Sequence, residues 1–175
     1  KALLYYKYGD LWTTFFEELG CDIIISPNTS KKILEDGIKF SMDESCMAMK
    51  IYMGHVYYLI DKCDYILVPR LKCVKKHEKL CTNFSALYDL VSNTFDKRLI
   101  HYNLDVEHRE DEFYAFTTMG LSLGFPYRKI VRSYKIAKEK EKMLRMREIA
   151  KQKSVIASSN KIKILLAGHP YNLHD

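Results

Sequence analysis

The run Phe40-Ser-Met-Asp-Glu-Ser-Cys46-Met-Ala-Met-Lys50-Ile-Tyr-Met-Gly-His55, followed by Asp64-Tyr-Ile-Leu-Val-Pro69-Arg70 and closed by Cys81, decides how the chain is read. Ser41 with Glu44 three residues on has the form of a capping box, which predicts a helix from Ser41 to about Lys62 and places Cys46 in its first two turns. Met49, Tyr52, Met53, Val56 and Ile60 give that helix an inner stripe. A thiol near a helix start meets the positive end of the helix dipole, which favours the thiolate that metals and electrophiles require. Asp64 to Pro69 reads as a short buried strand. The chain leaving it is expected to be a basic loop carrying Arg70, Cys73, His77 and Cys81 back to the sheet edge where sites form in open α/β sheets.

Working outward, helix and strand alternate. Leu4, Trp12, Phe15, Phe16 and Leu19 recur at spacings of three and four, so Lys1 to Leu19 is a predicted helix stopped by Gly20. Asp22-Ile-Ile-Ile-Ser26 is a continuous β-branched run that suits a strand covered on both faces. Ser30 caps a helix to about Phe40, with Gly37 weakening its second half. Further helices are expected at Ala86 to Thr94, Asp111 to Leu123 and Arg128 to Lys153, and further strands at Lys97 to Asn103 and Lys161 to Ala167. Short connections between alternating elements imply a Rossmann-like open parallel sheet with helices on both faces. An α/β chain ordinarily opens with a strand, so one is expected ahead of Lys1.

Composition narrows the class. At 175 residues, 47% hydrophobic and 29% charged, the chain suits a globular protein with a sizeable core. It has no long apolar run and no signal-peptide pattern, so no membrane partner is read and a cytoplasmic location is expected. Five cysteines, an odd number at irregular spacing, point to thiols, metal or a cluster rather than to a disulfide framework. Between Arg128 and Lys153 eleven Lys or Arg and three Glu give +8, so against the total of +6 the remaining residues carry −2. The cations fall on several faces of that helix with no aromatic groove beside them, which argues against a nucleic-acid partner. No Gly-rich phosphate loop and no Gly-x-Ser-x-Gly elbow is present.

Asp43-Glu44-Ser45-Cys46, Lys50, Gly54-His55-Val56, Val68-Pro69-Arg70-Leu71 and Cys81 together resemble the amino-terminal domain of the acyl-CoA dehydratase activase-related proteins, relatives of the 2-hydroxyacyl-CoA dehydratase subunits. Ala2 to Trp12, Phe15 to Gly20 and Leu165 to Asn172 extend the resemblance over nearly the whole chain. Ala48 and Thr82 stand where the family pattern has proline. The resemblance implies a [4Fe-4S] cluster held by Cys46 and Cys81 with a third ligand outside this chain, an ATP-dependent activator protein as electron donor, and an acyl-CoA as a possible ligand, with Lys50 and Arg70 facing cluster or phosphate charge. It also implies a first lobe over 1–127, a basic linker helix over 128–160, and the start of a second α/β lobe over 161–175.

Other readings stay open at this stage. Lys50 and Arg70 read equally as surface cations, and His55 as a packed or solvated histidine. Cys73, His77 and Cys81, with Cys46 as a fourth, form an alternative tetrahedral zinc set. A third class is a non-redox α/β module that holds an acidic partner on its basic helix. Cys21 and Cys63 read as core packing.

Overall fold

A computed structural model describes residues 1–158 and 160–174. In chain order the elements are α1 (Tyr5–Glu18), α2 (Lys31–Lys39), α3 (Met47–Leu59), β1 (Ile66–Lys75), β2 (Glu78–Lys79), α4 (Thr82–Thr94), β3 (Leu99–Asp105), α5 (Glu112–Ser122), α6 (Tyr127–Ser158) and α7 (Pro170–His174). The fold is mixed α/β with an open sheet. Strand order is β2-β1-β3, with β1 parallel to β3 and antiparallel to the short β2.

The β1–β3 pairing is the framework. Ile66 lies opposite Leu99 and Leu71 opposite Leu104, and α4 forms the crossover between the two strands. Successive side chains point to opposite faces of a strand, so β1 feeds two cores. Ile66 and Val68 pack with Met53, Val56, Leu87 and Val91 of α3 and α4. On the opposite face Leu71, Ile100, Tyr102 and Leu104 pack with Trp12 and Phe15 of α1, Phe116 of α5 and Ile130 of α6. Phe15 meets Phe116 edge-on with ring centroids 4.7 Å apart, and Trp12 meets Tyr102 edge-on at 5.4 Å. Burying such a side chain contributes about 1.5–3 kcal/mol. Helices therefore cover both faces, as the alternating pattern predicts.

Four sequence expectations are corrected. The 22–26 run joins no strand: Ile24 and Ile25 are 48% and 42% exposed and the segment has no ladder partner among the described residues. Residues 161–167 likewise form no strand, and Ile162 is 92% exposed. In both cases β-branched composition supplies the propensity, but a strand exists only where a neighbouring backbone edge satisfies its polar groups. The expected basic loop after Pro69 is instead the second half of β1 and a hairpin to β2 that turns at Lys76 and His77. Leu71 and Cys73 are buried and Lys72 is exposed, a period-2 pattern that proline at 69 obscures. Proline is tolerated there because its backbone faces away from β3: Ile66 N–H donates to Arg98 C=O, so Leu67 and Pro69 face the other edge.

The fourth correction concerns the start of α3. Ser41 Oγ donates to Gly37 C=O at 2.7 Å, closing off the end of α2, so the hydroxyl is not used as a cap for α3. No capping box forms, and α3 begins at Met47 with Cys46 itself at the N-cap. The predicted inner stripe holds, with Met49, Tyr52, Met53 and Val56 all buried.

Gly37, read from sequence as a weak point of α2, is required by a close helix crossing. A Cβ on Gly37 would fall on the Lys50 carbonyl, and one on Gly54 would fall on the Ile33 carbonyl. Both obstacles are backbone, so no rotamer change relieves them. We expect Gly54→Ala to lower stability by about 3 kcal/mol through overpacking, read as a fall in the urea midpoint. An unchanged midpoint would show that α2 and α3 do not cross at this pair.

Candidate functional site

Cys46 is the N-cap of α3 and Cys81 the N-cap of α4. Each performs that role with its backbone. The Cys46 carbonyl accepts from the N–H groups of Met49 and Lys50 at 3.0 and 3.2 Å, and the Cys81 carbonyl accepts from Phe84 N–H at 3.0 Å. Neither side chain caps its helix, and both thiols are exposed. The sulfurs are thus left available at two helix amino ends, where oriented N–H groups favour negative charge.

One contact joins the two ends directly. Asn83, in the first turn of α4, points its side-chain amide at Cys46 Sγ, 3.8 Å away. The phenol of Tyr171 in α7 is pushed up first by its partial burial and then by the nearby side chains of Cys46 and Cys81. Tyr171 stacks on His169 with centroids 5.2 Å apart and lies 6.3 Å from the ring of Phe84. The Tyr171 ring, from the end of the chain, thus lies near both cysteines, whose thiols are exposed. Lys50 sits one turn into α3 and donates from Nζ to Asp43 C=O at 2.9 Å, which ties down the loop that leads into Cys46.

The other candidates lie elsewhere. Arg70 makes an ion pair with Asp89 of α4, and its guanidinium stands 5.6 Å from the Tyr88 ring centroid. Those contacts tie β1 to α4, and the partly exposed pair adds little stability. Its Nε is buried without an acceptor beside a small polar cavity of about 80 Å³ that Lys72, Asn103 and Asp105 also line. Cys73 is buried in β1 and donates its thiol to Lys75 C=O at 2.8 Å, while His77 is exposed at the hairpin tip. Among the described residues no three His, Cys, Asp or Glu side chains are grouped to hold a metal, so the Cys73, His77, Cys81 zinc set is not assembled. His55 is a packed histidine: Nδ1 lies 2.8 Å from Ser26 Oγ and Nε2 3.0 Å from Thr29 Oγ1.

Residues 1–175 match the family described as the CoA enzyme activase uncharacterised domain. The chain belongs to this family. No curated protein and no solved structure matches it. Within this activase-related domain no described helix is long and apolar enough to cross a membrane.

Sequence reasoning singled out both cysteines and Lys50 but missed Asn83 and Tyr171. Asn83 carries no signal of its own. Tyr171 stands in the His169-Pro-Tyr-Asn172 run that bears the family resemblance, yet nothing local places it over residues so distant in the chain.

The five thiols differ enough for chemistry to separate them. Burial pushes the Cys21 and Cys63 thiols up, and Cys63 also donates to Leu59 C=O at 3.2 Å. A raised thiol has less thiolate at a given pH, so its alkylation begins only at higher pH. At about pH 8, near the ordinary thiol range, we expect two fast-reacting groups assigned by peptide mapping to Cys46 and Cys81. Cys21 and Cys63 should follow as pH rises, with Cys73 slowest. Fast labelling of Cys73 would contradict its place in the core.

Proposed function

We propose that this activase-related domain supplies Cys46 and Cys81 as two thiolate ligands of a [4Fe-4S] cluster in a system of the 2-hydroxyacyl-CoA dehydratase type. The observation that supports this reading is that two exposed, uncapped thiols stand at neighbouring helix amino ends, with Asn83, two residues past Cys81, reaching Cys46 Sγ and Tyr171 near both cysteines. The donor chemistry fits, since iron–sulfur clusters are held chiefly by cysteine thiolates. The described residues provide two such donors here, so the remaining ligand positions fall to groups outside this pair. When bound, such a cluster supplies one-electron transfer at low potential.

This chain's own residues have definable parts in that reading. Both sulfurs sit at helix amino ends, whose dipoles would offset negative charge on them. Asn83 donates to Cys46 Sγ, and hydrogen bonds to cluster sulfurs raise reduction potential. The expected partner is an ATP-dependent activator protein that donates the electron, and an acyl-CoA is the expected substrate of the assembled system. Its location is read as cytoplasmic.

Anaerobic incubation with ferrous iron, sulfide and an excess of a small dithiol tests the assignment, because the dithiol fills the ligand positions that the domain does not supply. We expect near-stoichiometric iron and sulfide with visible charge-transfer absorption in the wild type and in Cys73→Ala, and loss of both in Cys46→Ala and in Cys81→Ala. Equal iron in the double variant Cys46→Ala/Cys81→Ala would overturn the proposal. A wild type that gains no iron would favour a non-redox module.

A further inference from the structure

Toward its carboxyl end the β1–β3 ladder turns polar. Arg70 lies opposite Asn103, and the register then slips: Leu71 and Cys73 of β1 oppose the consecutive Leu104 and Asp105 of β3, so Lys72 is the extra residue of a β-bulge. Bulges re-aim a side chain and recur beside functional sites. Past β3 the chain folds back at once. Asp105 N–H donates to Glu110 C=O at 2.8 Å and Glu110 N–H to Asp105 C=O at 3.0 Å, across a turn that Arg109 completes in the left-handed region, with φ 63°. Together these residues line the polar cavity of about 80 Å³, which is more room than one water needs.

The two sides of this notch differ in kind. The β1 side supplies donors: Asp89 holds Arg70 Nη2, while the buried Arg70 Nε has no protein acceptor, and Lys72 adds a second cation. The β3 side supplies acceptors. Asn103 Oδ1 is buried without a protein donor, Glu110 adds a carboxylate, and Asp105, only 5% exposed, has one oxygen 2.8 Å from His108 Nδ1. Buried polar groups are ordinarily paired, so an orphan donor and an orphan acceptor beside one cavity call for a ligand that is an acceptor at one end and a donor at the other.

We propose that the notch binds the α-amino acid group of a small free amino acid, its carboxylate against Arg70 Nε and Lys72 and its ammonium against Asn103 Oδ1 and Glu110. A simple anion would meet the carboxylates of Asp105 and Glu110, and a simple cation would meet Arg70 and Lys72. A zwitterion matches both sides, and charge-assisted hydrogen bonds are the stronger kind. The site uses neither Cys46 nor Cys81, so it stands or falls separately from cluster binding.

Glycine is the probe, titrated into the isotope-labelled chain and followed by NMR at the Arg70 Nε–H and the Asn103 side-chain amide. We expect saturable shifts of both signals, with acetate and methylammonium weaker by about tenfold or more because each meets only one side. Lys72→Met, at an exposed position, and Asn103→Leu should each weaken glycine by about tenfold, and Lys72→Met should leave the thermal midpoint and the affinity for methylammonium no lower. Acetate or methylammonium binding as tightly as glycine would overturn the proposal by assigning the notch to a single charge. Glycine affinity untouched by Lys72→Met would overturn it as well. So would the lack of any saturable shift up to tens of millimolar glycine, which would leave the notch to water.

Discussion

The parallel pairing of β1 with β3 is the constraint on which the rest depends. Seven residue pairs, from Ile66 opposite Leu99 to Cys73 opposite Asp105, fix a strand that is covered on both faces. Because its side chains alternate between two cores, β1 holds α3 and α4 on one face and α1, α5 and α6 on the other. Parallel strands require a crossover, and α4 is that crossover. Its amino end is consequently placed by the sheet rather than by local sequence, and with it Cys81. The α3 helix is seated on the same face by Met53 and Val56, which brings Cys46 to the neighbouring helix end. The helix ends that carry Cys46 and Cys81 are thus placed by strand pairing that contains neither thiol.

Cysteine at an N-cap is unusual among helix starts, where Ser, Thr, Asp and Asn are preferred because their oxygens accept from the first free N–H groups. Two such positions in one domain, each leaving its side chain unused in capping, give up local helix stabilisation at both ends. Functional sites are where such departures from local preference concentrate. Ser41 and Glu44 could have made a capping box a few residues earlier, yet Ser41 instead terminates α2 at the glycine crossing. The close approach of Gly37 and Gly54 thereby sets where α3 can begin, and so fixes Cys46 at the cap.

Much of this was legible in the sequence and some was not, for physical reasons. The helices announced themselves through periodicity: Trp12, Phe15 and Phe16 in α1 with Leu19 at its C-cap, and Met49, Tyr52, Met53 and Val56 in α3, are core residues that a 3.6-residue repeat predicts. The β1 and β3 strands were read from short apolar runs. Segments 22–26 and 161–167 have the same composition and are not strands, because pairing is a property of two segments and composition belongs to one. The hairpin after Pro69 was hidden by treating proline as a stop, although the ring needs only an edge on which its absent N–H is not required. The pairing of Cys46 with Cys81 came from family resemblance. Spacing alone would not have joined them, and Asn83 and Tyr171 were visible only in three dimensions.

The account's central claim is that Cys46 and Cys81 belong to one site. Dibromobimane measures this directly, since it becomes strongly fluorescent when one molecule bridges two thiols. The account predicts bright one-to-one labelling of the reduced wild-type chain, a single cross-linked peptide pair containing Cys46 and Cys81, and loss of that pair in Cys46→Ser. Separate single-thiol adducts on the two cysteines, with no bridged product, would contradict it.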